Sequence, residues 1–197
     1  MTPIAAAPAL PTQQMTASEF FAWVHRPENR NRFFELDRGE VVELPRPGKY
    51  HGFVCANIAG ILGNFAFQRR KGYVCTNDAG VLIGRDPDTV RGPDVTFYDD
   101  DQSFDKMERQ YAERPPLLAV EVLSPNDRIN KTNRRITQML RGGVSLVWLV
   151  DPESRDVSVY QLGHDLLLLL EADELTGDPV LADFRCRVAE FFAKPGA

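Results

Sequence analysis

Residues 91–98 read RGPDVTFY, and residues 117–128 read LLAVEVLSPNDR. Each segment contains a short apolar run of the kind that forms a buried strand. Asp94 opens the first run, and Glu121 lies inside the second. Burying an ionised carboxylate is costly unless another group compensates its charge. A divalent cation held by both carboxylates would do so, which favours metal-assisted hydrolysis of a phosphate ester. The alternative is that Asp94 caps a turn and Glu121 pairs with a basic residue.

The bulk composition is that of one ordinary globular domain. The chain has 197 residues, of which 43% are hydrophobic and 26% charged. This length is enough for one domain with a substantial core. The formal net charge is −5. The molecule as a whole therefore does not attract nucleic acid, and any such surface must be local.

The cysteines and the apolar runs indicate the cellular compartment. Cys55, Cys75 and Cys186 are far apart and form no CxxC pair, so neither a zinc ribbon nor a disulfide framework is indicated. Reduced thiols in a cytoplasmic protein are the simpler interpretation. The run Leu166–Leu170 is too short to span a bilayer. We expect no membrane association.

Local patterns predict a mixed α/β chain. A capping box at 16–19 starts a first helix, and the Asp37-Arg38-Gly39 turn joins a hairpin. Residues 1–15 are predicted to be a flexible tail and residues 16–193 a single domain. The remaining predicted elements are a helix over 50–70, strands over 73–76, 80–83, 94–98 and 117–123, a helix from Pro125 to about Leu140, strands over 145–150, 157–161 and 166–171, and a last helical turn at 188–192.

The order of these elements resembles the core of the PD-(D/E)xK nucleases. The segments GPDVTFY (92–98), PPLLAVEVLSPNDR (115–128) and GGVSLVWLVDPESRDVSVY (142–160) resemble the bacterial Uma-type restriction endonucleases of that superfamily. The resemblance covers residues 16–193. It implies a restriction-endonuclease-like α/β core: a central mixed β-sheet flanked by helices, with an N-terminal helix and β-hairpin. It also implies DNA as the substrate.

The resemblance implies a site for Mg²⁺ or Mn²⁺. Asp94 and Glu121 would supply hard oxygen ligands, and the main-chain carbonyl of Val122 would complete the protein's share of the coordination. The ion would lower the pKa of its bound water and neutralise charge developing on the phosphate.

The position of the catalytic cationic residue in the sequence differs from the superfamily pattern. A Glu-x-Lys spacing would place lysine at position 123, which is Leu123. In the Uma-type proteins the lysine lies on the following helix, at a position that aligns with Arg135, and Lys131 lies one helical turn earlier. Arginine can stabilise a pentavalent phosphorus but cannot release a proton near neutral pH, as a desolvated lysine can. Either residue is alternatively a solvated helix charge.

Three further residues are candidates for supporting the site. Glu43 and His51 stand where the resembled family carries an acidic residue and a histidine, and Glu35 lies on the first hairpin. His51 is alternatively a helix N-terminal histidine bonded to backbone.

Other classes of function stay open. The helix after Glu121 carries Arg128, Lys131, Arg134, Arg135 and Arg141, and such a face suits a phosphate backbone. A non-catalytic nucleic-acid-binding or protein-binding module would use the same surface, and the absent lysine favours it. A structural homodimer is a third possibility, in which Leu166–Leu170 supplies the contact.

Overall fold

The computed structural model describes residues 9–100, 102–125 and 127–194. Residues 1–8 of the predicted flexible tail lie outside the described residues. The helices are α1 Ala17–Val24, α2 Lys49–Arg69 and α3 Ile129–Arg141. The strands are β1 Phe33–Asp37, β2 Glu40–Leu44, β3 Tyr73–Thr76, β4 Val81–Gly84, β5 Thr89–Arg91, β6 Val95–Tyr98, β7 Leu118–Val122, β8 Leu146–Asp151, β9 Asp156–Tyr160, β10 Leu167–Leu169, β11 Glu174–Gly177 and β12 Leu181–Arg187. Short 3-10 turns occur at Pro27–Asn29, Phe104–Lys106 and Val188–Phe191.

The predicted N-terminal helix and hairpin are confirmed. The Thr16 hydroxyl accepts a hydrogen bond from the Glu19 amide, and the Glu19 carboxylate accepts one from the Thr16 amide at 2.8 Å. This reciprocal cap satisfies amides that the first turn of α1 would leave unbonded. Arg38 and Gly39 both have positive φ, as a two-residue hairpin turn requires. The turn fixes the register of β1 against β2, with Asp37 opposite Glu40.

The central sheet is mixed, as predicted. Its strand order is β10-β9-β8-β7-β6-β3. Strand β6 lies between β3 and β7 and is antiparallel to both, whereas β7 and β8 are parallel and joined through α3. A parallel pair needs a crossover, and a helix is the usual one.

The helices α2 and α3 cover opposite faces of this sheet. On one face, α2 packs against alternate residues of β7, so that Val54, Ile58 and Leu62 share a cluster with Leu118 and Val120. On the other face, α3 contributes Ile136 and Met139 to a cluster with Ala119 and Val147. Alternation along β7 therefore sends Glu121 to the α3 face. No helix in the described ranges combines the length and the apolar content that a membrane crossing needs.

Strand β5 was not predicted from the sequence. It has three residues, including a charged Arg91, and so lacks the apolar run by which strands are recognised. It completes a second sheet of order β2-β1-β5-β4, with Val90 opposite Leu36. The pair β11 and β12 was also not predicted. Strand β5 matters for the site because it places Arg91 beside Glu35.

The helix predicted from Pro125 begins later, at Ile129. The Ser124 amide donates to the Asp127 carboxylate at 2.7 Å, and the Asp127 amide donates to the Ser124 carbonyl at 2.9 Å. This side-chain-stabilised turn competes with helix and delays its start. Asn126, the other predicted start residue, lies outside the described residues.

Candidate active site

Asp94 and Glu121 lie on neighbouring antiparallel strands. The ladder pairs Val95 with Val120, so continuing it by one position places Asp94 opposite Glu121. Directly opposed residues of an antiparallel pair project from the same face. The β6–β7 register therefore places the two carboxylates next to each other, although they are far apart in the sequence.

Asp94 is held by two polar partners. Its Oδ2 accepts a hydrogen bond from the Val122 amide at 2.7 Å, and its Oδ1 lies 3.3 Å from His51 Nε2. The first contact ties Asp94 to the strand that carries Glu121. The second contact ties it to the start of α2. Asp94 is consequently fixed between β7 and α2 rather than capping a local turn.

Glu121 is buried and crowded by other carboxylates. Burial raises the pKa of Glu121 to about 8. The positive charge of Arg135 opposes this rise, while the negative charges of Asp94 and Glu35 add to it. Arg135 Nη2 lies 2.9 Å from both carboxylate oxygens of Glu121. The pairing of Glu121 with a basic residue, one of the two sequence-based alternatives, is thus observed, but one guanidinium does not balance the local negative charge.

Glu35 connects Arg135 to a second arginine. Its Oε1 lies 3.0 Å from Arg135 Nη2 and accepts the Gly92 amide at 2.9 Å, and its Oε2 accepts from Arg91 Nη1 at 2.7 Å. Glu35 is only 2% exposed. Arg91 also reaches Asp37, at 3.1 Å. A buried network of this kind is stable only because every charge has partners.

His51 has partners on both ring nitrogens. Nδ1 lies 3.4 Å from the Cys55 sulfur, and Nε2 faces Asp94. Burial disfavours the protonated ring, but hydrogen bonding to Asp94 and Cys55 outweighs it and raises the pKa of His51 to about 10. His51 therefore bonds side chains of the site, in place of the backbone bond considered from the sequence.

A cavity of about 360 Å³ opens beside these groups and is lined by His51, Cys55, Asp78 and Asp94. Burial raises the pKa of Asp78 to about 6, and the charge of Asp94 raises it further. The pKa of Asp78 is therefore also affected by the charges of the site.

Several carboxylates act on the site electrostatically. The charges of Asp94 and Glu35 raise the pKa of both Asp78 and Glu121, and the charge of Arg135 opposes the rise in both. Burial is the larger cause of the raised pKa in each case. Carboxylate oxygens are the ligands that Mg²⁺ and Mn²⁺ prefer, and an added cation would relieve the repulsion.

The other predicted residues lie at different positions. Glu43 pairs with Phe34 in the hairpin, on the opposite face from Glu35, and bonds Arg32 at 2.6 Å. Lys131 is exposed on α3. Leu123 continues the hydrogen bonding of β7 to β8, with its amide bonded to the Val150 carbonyl at 2.8 Å. The structure thus brings together Asp94, Glu121, Arg135, Glu35 and His51, with Val122 between them, and leaves Glu43 and Lys131 outside.

Sequence reasoning missed three members of the cluster. Cys55 follows His51 by one helical turn, and this spacing was a usable signal. Arg91 stands directly before the Gly-Pro-Asp segment, but nothing local shows that its side chain is buried. Asp78 belongs to a connection between strands, where the sequence carries no periodic signal.

A mixed sheet flanked by α2 and α3, with opposed carboxylates at one end, defines a restriction-endonuclease-like core. Residues 17–189 match the Uma2 family, described as "Putative restriction endonuclease". The chain belongs to this family. A solved structure, a "putative nuclease belonging to DUF820" from Anabaena variabilis ATCC 29413, is similar with a TM-score of 0.75 and 18% identity, over 90% of this chain and 97% of that one. No curated protein matches.

Proposed function

We propose that the protein is a divalent-metal-dependent endodeoxyribonuclease that hydrolyses phosphodiester bonds by a PD-(D/E)xK-type mechanism. One observation carries the proposal: Asp94 and Glu121 face each other across β6 and β7, and burial, with the added negative charges of Asp94 and Glu35, raises the pKa of Glu121 to about 8. Such an arrangement is unfavourable in itself and becomes favourable when a cation enters.

Asp94, Glu121 and the main-chain carbonyl of Val122 would hold Mg²⁺ or Mn²⁺. The bound ion would supply an acidified water and neutralise charge on the phosphate. Glu35 and His51 support this set from outside. Because the pKa of His51 is about 10, the ring is protonated at neutral pH and orients Asp94 rather than accepting a proton.

Arg135 would bind the scissile phosphate. Its Nη2 is committed to Glu121 and Glu35. Its Nε, by contrast, is buried, and within the described part of the chain nothing accepts a hydrogen bond from it. A buried N–H without an acceptor is unfavourable, and a phosphate oxygen would satisfy it with a charge-assisted bond.

DNA would approach along α3. Lys131, Arg134 and Arg141 are exposed on this helix, and Arg128 is exposed directly before it. Arg135 is at its inner face, bonded to Glu121. Basic side chains on one helix suit the phosphate backbone, and they supply the local positive surface that the net charge of −5 does not. In this arrangement Lys131 contacts substrate rather than the metal.

A second candidate is a binding module that has lost catalysis. The occupation of Glu121 by Arg135, together with Leu123 at the expected lysine position, favours it. Calorimetric titration with Mg²⁺ separates the candidates, because a module that kept only the scaffold need not bind the ion.

We also propose a homodimer formed through β10. This strand ends the central sheet and pairs only with β9 within the described residues. Leu166, Leu167, Leu168 and Leu170 are each more than half exposed. An open edge with apolar side chains favours pairing with another strand, and a two-fold axis lets the same strand of a second copy fill it.

The three unpaired cysteines agree with a reducing, cytoplasmic location.

Cleavage of supercoiled and linear DNA with Mg²⁺ or Mn²⁺ tests the proposal. Glu121→Gln keeps the shape of the side chain but removes its charge, and we expect it to lower the cleavage rate by at least about 100-fold. Glu43→Gln is the matched control and should cleave at the wild-type rate, since Glu43 lies on the far face of the hairpin. Equal cleavage by wild type and Glu121→Gln would disprove the proposal.

A further inference from the structure

His51, Cys55 and Asp94 form a compact cluster of three different ligand types. His51 and Cys55 are four residues apart on α2, so both project from one face of the helix. One ligand atom from each of the three residues lies within 4.8 Å of the other two. All three are partly buried beside the 360 Å³ cavity.

The ligand chemistry differs from that of the Asp94–Glu121 pair. A thiolate is a soft ligand that selects ions such as Zn²⁺ over Mg²⁺, and imidazole suits the same ions. The pair formed by Asp94 and Glu121 offers only hard oxygens. The two groups of ligands therefore prefer different metals although they share Asp94.

The three ligand atoms, all within 4.8 Å of one another, need to close by at most about 1.5 Å to surround a tetrahedral ion. Bonds of about 2.0–2.3 Å at tetrahedral angles place ligand atoms about 3.3–3.5 Å apart. The imidazole lies 3.4 Å from the Cys55 sulfur and 3.3 Å from the Asp94 carboxylate. These contacts use opposite ring nitrogens, so the side chains must move until one nitrogen, the sulfur and a carboxylate oxygen face the ion. Binding also releases to solvent the proton of the Cys55 thiol and one proton of the His51 ring. Asp78, which lines the same cavity, or a water is available as a fourth ligand.

We propose that His51, Cys55 and Asp94 form a second metal site, selective for a thiolate-binding ion such as Zn²⁺, whose occupation withdraws Asp94 from the catalytic ion and inhibits cleavage. The inhibition rests on the nuclease function proposed above. The metal site itself does not. A carboxylate oxygen bonded to Zn²⁺ is no longer free to orient toward Glu121, so the two ions compete for one side chain.

Cobalt provides a direct readout, because Co²⁺ replaces Zn²⁺ and gives an intense charge-transfer absorption when bound to thiolate. We expect this absorption to saturate at one equivalent of Co²⁺ in the wild type and to disappear on adding Zn²⁺. Cys55→Ser should lack it. Cys75→Ser is the matched control, since Cys75 is also partly buried but lies on β3 outside the cluster, and it should behave as wild type. Absence of the absorption in wild type, or its persistence in Cys55→Ser, would overturn the site.

Inhibition is measured separately, as the Zn²⁺ concentration that halves Mn²⁺-dependent DNA cleavage. We expect this concentration to rise at least tenfold in Cys55→Ser and to stay unchanged in Cys75→Ser. Equal inhibition of all three proteins would refute the coupling. If none of them cleaves DNA with Mn²⁺ alone, the nuclease proposal fails and the coupling fails with it, whereas the cobalt spectrum still decides whether the second metal site exists.

Discussion

Arg135 Nη2 lies 2.9 Å from both carboxylate oxygens of Glu121 and 3.0 Å from the nearer oxygen of Glu35. The cation of the site thus comes from the helix after β7 and not from β7 itself. Its contacts with two acidic side chains fix its position, while its Nε is buried and has no hydrogen-bond acceptor among the described residues.

Replacing Arg135 by lysine should preserve or raise DNA cleavage. A lysine amine keeps the positive charge near Glu121, and a desolvated amine can also release a proton, which a guanidinium cannot. Initial rates of plasmid nicking with Mn²⁺ provide the measurement. Arg135→Ala should lower the rate by about 10- to 100-fold through loss of phosphate stabilisation. If Lys131→Ala abolished cutting while Arg135→Ala had no effect, the cation would be wrongly assigned.

Binding of Mn²⁺ should release protons in a pH-dependent way. Because the pKa of Glu121 is raised to about 8, its carboxyl is mostly protonated at pH 7 in the ion-free protein and must lose its proton to bind metal. Proton release attributable to Glu121 should approach one per ion at pH 7 and become small at pH 9. Below pH 8 the affinity should weaken by up to about tenfold per pH unit as the pH falls.

Calorimetry in two buffers of different ionisation enthalpy measures this release. The difference in protons released between wild type and Glu121→Gln isolates the contribution of Glu121. Glu43→Gln serves as the control and should match wild type. Release that is the same at pH 7 and pH 9 would be inconsistent with a raised pKa.

Arg91→Met should destabilise the fold by about 3–5 kcal/mol, the usual cost of breaking a buried ion pair. The Arg91 side chain is 4% exposed and bonds Glu35 at 2.7 Å and Asp37 at 3.1 Å, so its removal leaves buried negative charge uncompensated. Urea denaturation gives the free energy of unfolding. Arg85→Met is the matched control, because Arg85 forms an exposed pair with Glu113, worth about 0–1 kcal/mol. A similar loss in both variants would contradict the importance of the buried network.

Leu168→Arg should convert the proposed dimer to a monomer. Leu168 is 53% exposed in the middle of β10, and two copies of a charged residue at a two-fold contact repel each other. Sedimentation over a range of concentrations measures the mass. Phe67→Arg is the control, since Phe67 is 84% exposed on α2, away from this edge. A wild type that is monomeric at all concentrations would rule out the β10 contact.

The sequence was sufficient for the elements with clear periodicity and for the opposed carboxylates. The apolar runs after Asp94 and around Glu121 predicted β6 and β7, and the cost of burying a carboxylate led to the expectation that the two acidic residues converge. The hairpin register could also have been used further: with Asp37 opposite Glu40, Glu35 and Glu43 must project from opposite faces. At most one of them can then reach the site.

The remaining parts depend on contacts between distant segments. Arg91 is a charged residue that becomes buried only because β5 lies beside β1, a pairing between residues far apart in the chain. Similarly, Asp78 lies near the cluster only because of the path of the β3–β4 connection. His51 and Cys55 form a possible ligand group only because the fold places Asp94, at the start of β6, beside them. No local propensity encodes such approaches.

Separating the cation from the strand has an evolutionary consequence. With lysine two positions after the glutamate, as in the superfamily pattern, any exchange of the cation also alters a residue of the core ladder. Here position 123 extends the hydrogen bonding of β7 to β8 and position 135 lies on the inner face of α3, so a change of the cation leaves the strand sequence unaltered. A lineage of this fold could therefore exchange its cation at one helical position while inheriting unchanged the two strands that carry Asp94 and Glu121.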